Sequence, residues 1–189
     1  LTGTLAVSIG GLLGWSLQPQ SGAFSFLSFL PGAVSAFSSG LLFKRKRVPL
    51  LVLYLGLFLV LAFYPNVGPM WLYPYFLWFQ LAGLFLLLSP LTLIAAKHVS
   101  TNCNLRELSF GVGIVCLVST LFGQIAGNFM FELSRWPTVF GQIDFWRVGI
   151  WMPLTILYPL ERIIIALLST FICVPIIKAI KAKGFEMGG

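Results

Sequence analysis

The chain has 189 residues, 58% of them hydrophobic and 9% charged. Soluble domains carry about 25% charge, so a soluble fold is excluded and the chain reads as an all-α integral membrane protein. Its formal charge of +7 does not signal a nucleic-acid partner, because the basic residues flank apolar runs of spanning length.

Six apolar segments follow in order within a single domain, residues 1–189. They are Leu1 to about Leu17, Ala23 to Phe43, Val48 to Tyr64, Leu72 to Ala96, Leu108 to Leu133, and Pro159 to Lys178. A spanning helix needs roughly 20 residues, so a six-transmembrane-helix bundle is expected. The first and third segments are short and need their flanks. The chain opens on Leu1 rather than Met, which points to a preceding piece, and no cleavable signal peptide is read there.

The loops set the orientation. Lys44, Arg45, Lys46 and Arg47 join segments two and three. Lys97 and Arg106 lie between four and five, and Lys178, Lys181 and Lys183 follow six. These alternate loops hold nine of the twelve Lys and Arg residues. The positive-inside rule then puts both termini in the cytoplasm of a multi-pass cell-membrane protein.

The last segment is expected to begin at Pro159, where a first helical turn tolerates the missing N–H, with Glu161 in that same turn. Pro153 and Pro159 interrupt the stretch before it. Val148 to Tyr158 is therefore read as a broken or kinked region, a separate apolar piece that is either interfacial or folded back over the outer face. The alternative is one long tilted helix.

Two features suggest sites. Gln124, Asn128 and Glu132 are spaced by four, so they share one helical face. Polar groups inside a spanning segment tend to face a bundle interior or a cavity. Gln80, Trp78, Trp151, Glu161 and Arg162 lie toward the same outer end. All six tryptophans fall on or near that side. An outward pocket formed by segments four, five and six is expected to take a small planar or cationic organic solute. The structural reading of the same residues is interhelical hydrogen bonding and a Glu161–Arg162 ion pair. Second, small residues repeat every four positions: Ala6, Gly10 and Gly14, then Gly32, Ala36 and Gly40. Such faces let helix backbones approach closely, either inside this bundle or against a partner subunit.

No catalytic signature is present: no nucleophile–histidine–acid set, no H-E-x-x-H and no phosphate-binding loop. His98 is the only histidine. Cys103, Cys116 and Cys173 are far apart in sequence, so no metal, cofactor or disulfide framework is expected.

The stripe Ala6-x-x-x-Gly10-x-x-x-Gly14 resembles the face by which substrate-binding S components of energy-coupling factor (ECF) transporters meet their coupling subunit. Tyr158-Pro-Leu-Glu-Arg162 running into Val174-Pro-Ile-Ile-Lys-Ala179 is similar to the last helix of some S components. Phe29-Leu-Pro-Gly-Ala33 before a basic turn resembles their second helix. The resemblance implies capture of a vitamin-like micronutrient from outside and docking on a membrane coupling subunit with separate ATPases. The alternatives are a non-catalytic accessory subunit of a larger membrane assembly, such as a cell-shape or respiratory complex, and a lipid-directed membrane enzyme using Glu132, Asp144 or Glu161.

Overall fold

A computed structural model describes residues 2–18, 25–65, 67–101, 104–135 and 145–182. Leu1, Ala23, Cys103, Asp144 and Lys183, named above, lie outside the described residues. The described residues are helical and contain no strand.

Helix α1 spans Thr2–Leu17. A tight 3-10 stretch, Ser25–Phe29, leads into α2, Leu30–Phe43. The link to α3, Arg47–Ala62, is a three-residue turn. There the Arg45 N–H donates to Leu42 O (2.9 Å) and the Lys46 N–H to Leu41 O (2.8 Å). This pair of bonds closes a helix C-terminus when the residue past it is left-handed, and Arg45 takes that conformation, with φ 54°. A short helix α4, Pro69–Leu72, and a 3-10 turn, Pro74–Leu77, precede α5, Trp78–Leu88. Then come α6, Leu91–Ser100, α7, Leu105–Arg135, and α8, Met152–Ala182.

Among the described residues two helices are long and apolar enough to cross a membrane: Leu105–Leu133, and Arg147–Ala182, which includes α8. A third span results if Pro74–Leu88 and Leu91–Ser100 count as one, but that pair is bent by 67°. Segment four is thus not the single run expected. The residue before a proline is pushed out of the helical region, and Ser89, before Pro90, is extended at φ −73°, ψ 158°.

The last segment also departs from expectation. Pro159 sits inside α8, not at its start, and the first turn of α8 holds no acid. Val148 to Tyr158 is no separate lid; it belongs to one continuous helical stretch of 36 residues. The expected break is a change of winding: Phe145–Trp151 is a π-helix that runs straight into α8. Pro153 is the second residue of α8, directly after the π-helix, so its missing N–H coincides with the change of winding. At 1.5 Å per residue the stretch is about 50 Å long, well beyond the roughly 30 Å hydrocarbon core.

Helix α7 is the hub and packs against α2, α3, α5, α6 and α8. Within its apolar window 61% of residues are buried, against 17% for the last helix. Small residues on several sides of α7 explain this. A Cβ at Gly111 would stand 2.8 Å from Ala95 O, and one at Gly123 would stand 2.6 Å from Pro31 O. So α6 and α2 touch the backbone of α7 directly, as small residues permit in membranes. By contrast α8 turns Ile156, Leu157, Leu160, Leu167, Leu168 and Phe171 outward. Tyr54 ties α3 to the hub. It is fully buried, stacks on Phe122 at 5.4 Å between ring centroids, and donates to the Gln80 carbonyl at 2.9 Å.

Candidate functional site

A cavity of about 330 Å³ lies between α2, α7 and the last helix. Ligand pockets run from about 300 to 1,000 Å³, so this one suits a small solute. Each wall is one helical face. On α7 the wall is Thr120, Gly123, Gln124, Gly127, Asn128 and Phe131, the i, i+3, i+4, i+7 pattern of a single stripe. On the last helix it is Ile150, Trp151, Leu154, Tyr158 and Arg162, and on α2 it is Pro31, Gly32 and Ser35.

Gln124 and Asn128, expected on one face, are both in the wall. They are 4% and 5% exposed. Both amide atoms of Gln124 and the Asn128 Nδ2 lack a hydrogen-bond partner in the protein. A buried, unpaired amide is destabilising by about 1–3 kcal/mol, and three such atoms belong to two residues of this one wall.

Trp151 and Arg162 also line the cavity. The Trp151 ring is held by Phe76, with centroids 4.5 Å apart, and Phe76 also meets Tyr158 edge-on at 6.0 Å. Phe76 comes from the 3-10 turn before α5, so the bent segment supports the wall from behind. The guanidinium Nη2 of Arg162 donates to Glu161 Oε1 at 3.0 Å. The Arg162 Nε is buried without a partner.

Four expected site residues lie elsewhere. Glu161 is not in the wall. It is next to Arg162 in sequence and so stands about 100° around the helix from it, with its side chain 44% exposed. Glu132 is fully buried, has an interaction of its own and is not in the wall; the stripe passes through Phe131 instead. Trp78 is exposed and donates its indole N–H to the Thr155 carbonyl at 3.0 Å, tying α5 to α8. Gln80 is buried, its side-chain oxygen has no partner, and it does not reach this cavity. Segment two, not segment four, supplies the third wall. The charged group in the wall is therefore a guanidinium and not a carboxylate, which removes the basis for expecting a cation.

Sequence reading passed over Gly123 and Gly127. Their spacing is the small-x-x-x-small signal itself, and they bring Pro31 against α7. Each immediately precedes a polar wall residue, Gln124 or Asn128, so the close-packing face and the polar face are neighbours on one helix.

The small-residue stripes divide. Ala6, Gly10 and Gly14 are exposed, and a Cβ at Gly10 or Gly14 meets nothing within 4 Å. Inside the fold α1 packs through other residues. A Cβ at Gly11 would stand 2.5 Å from Phe29 Cβ, and one at Gly32 would stand 3.1 Å from Val7 Cγ1. Of the second stripe, Gly32 lines the cavity, while Ala36 and Gly40 are half-buried.

The basic end is bound into the fold. The Arg45 side chain donates to Ser100 Oγ at 2.6 Å, that of Arg47 to the Leu88 carbonyl, and Lys181 Nζ to Thr101 O at 2.5 Å. Among the described residues no three His, Cys, Asp or Glu side chains come together. No family model matches the chain, and neither a curated protein nor a solved structure matches it.

Proposed function

We propose that this chain is a membrane-embedded subunit that captures a small organic solute in the cavity between α2, α7 and the last helix. The observation that carries the reading is the buried, unpartnered carboxamide of Gln124 in the wall of a 330 Å³ cavity. An accessory subunit that only packs against others has no use for such a group. In this reading the chain crosses the membrane six times with both termini inside, as the basic loops favour. The cavity is then in the outer half of the bundle, since α7 leaves the basic end at Arg106 and reaches the wall only at Thr120.

The sequence resemblance extends the proposal to an ECF-type importer of a vitamin-like solute. The outward face of Ala6, Gly10 and Gly14 would meet a coupling subunit whose ATPases supply the energy. Absence of bulk on that face allows close backbone approach, and no described helix occupies it.

The test is release of bound solute. The full chain is purified from membranes in mild detergent and denatured, and the supernatant is read by mass spectrometry. A stoichiometric small molecule, absent from a Gln124→Leu preparation, is the expected result. If the wild-type chain releases nothing and no solute from a metabolite panel raises its melting temperature, the accessory-subunit reading replaces this one.

A further inference from the structure

Resting on that capture reading, we infer that the solute is an uncharged planar heterocycle with a lactam edge, an N–H beside a C=O, and not a cation. The Gln124 carboxamide has neither its Nε2 nor its Oε1 satisfied by the protein, although the residue is nine-tenths buried. A carboxamide offers a donor and an acceptor side by side in one plane. The partner that satisfies both at once presents an acceptor and a donor in the same order. A cyclic amide or imide does this.

The remaining groups fit the same ligand. One turn along α7, the unpartnered Asn128 Nδ2 adds a donor, and the buried Arg162 Nε adds another. These favour further carbonyl or ring-nitrogen acceptors. Trp151 and Tyr158 line the cavity, and a flat heterocycle buries well against aromatic rings. No carboxylate lines the cavity. Glu161 is committed to Arg162 at 3.0 Å, so a cation entering here meets the guanidinium of the pair and not its counter-charge. A full anion is weakly favoured for the same reason, since Arg162 is already partly neutralised.

A site that hydrogen-bonds a ligand N–H rejects the analogue lacking it strongly, because the site's own polar groups are then left unpaired. The experiment is calorimetric titration of the full chain in lipid nanodiscs with three bicyclic probes of similar size: lumazine, 1,3-dimethyllumazine and N-methylquinolinium. Saturable lumazine binding is expected, at least tenfold tighter than the other two probes, with a tenfold or greater loss in Gln124→Leu. If 1,3-dimethyllumazine binds as well as lumazine, or N-methylquinolinium binds better, the lactam inference is overturned while solute capture stands. If no probe binds, the molecule released on denaturation decides. A lactam or imide edge in it supports the inference, and its absence overturns it. A chain that binds no probe and releases nothing overturns capture and lactam together.

Discussion

Replacing Gln124 with leucine separates a ligand-binding amide from a structural one, because the two roles give opposite signs in stability. Gln124 is 4% exposed and neither amide atom has a partner in the protein. Leaving a buried polar group unpaired is destabilising by about 1–3 kcal/mol. Leucine has nearly the same volume, leaves no cavity of its own and needs no hydrogen bond. Gln124→Leu is therefore expected to stabilise the ligand-free chain by about 1–3 kcal/mol. For a chain of this size each kcal/mol moves the melting temperature by about 2–4 °C, so the rise is roughly 2–12 °C. Stability lost in keeping a binding group is a recurrent trade-off. The assay is thermal unfolding of ligand-free protein in detergent, followed by intrinsic tryptophan fluorescence, with and without added solute. The variant should melt higher and lose any solute-induced shift. A lower melting temperature with the solute shift retained would refute the reasoning, because it would mean that the amide holds helices together.

Glu132 provides the contrast: it is fully buried but engaged, so Glu132→Leu should lower the same melting temperature, by the equivalent of about 2 kcal/mol or more. On α1, Gly10→Leu should leave the fold and solute binding intact and weaken co-purification with a coupling subunit, whereas Gly11→Leu, whose Cβ would stand 2.5 Å from Phe29 Cβ, should destabilise the isolated chain; equal melting temperatures for the two variants would contradict this assignment of faces. Gly123→Leu should push α2 from α7, since even a Cβ there meets Pro31 O at 2.6 Å, and abolish both stable folding and solute binding, as size-exclusion chromatography and calorimetry would report. For topology, single cysteines at Gln20 and Thr138, in a background without native cysteines, should label from outside intact cells and one at Lys46 should not; labelling at Lys46 would end the six-crossing reading.

Much of the cavity's α7 wall was legible in the sequence. Spacing of four places Gln124 and Asn128 on one stripe of any α-helix, whatever surrounds it. Polarity within an apolar run says that the stripe avoids lipid. Helix positions were legible for the same local reason, and so were the turns, where Lys44 to Arg47 interrupt the apolar runs. The course of the chain before the last helix was less so. Two prolines suggested a break at Pro159, yet a proline inside a membrane helix is tolerated when the freed backbone groups are otherwise satisfied. Ser89-Pro90 gave as plain a signal, and there the chain does bend.

Local patterns in the sequence determined that this chain is helical and apolar, which residues share a face, and where polar groups interrupt lipid-like surface. Each follows from a helix's own period and from transfer out of water, and needs no neighbour. Tertiary structure alone decided which faces meet. Gly123 meets Pro31 because the backbones touch there, and that contact, not the stripe on α1, sets α2 as the third wall. It also decided the sign of the site. Glu161 and Arg162 are adjacent in sequence and about 100° apart around the helix, so the rotation of α8 against α7 alone determines which of the two lines the cavity, and it is Arg162.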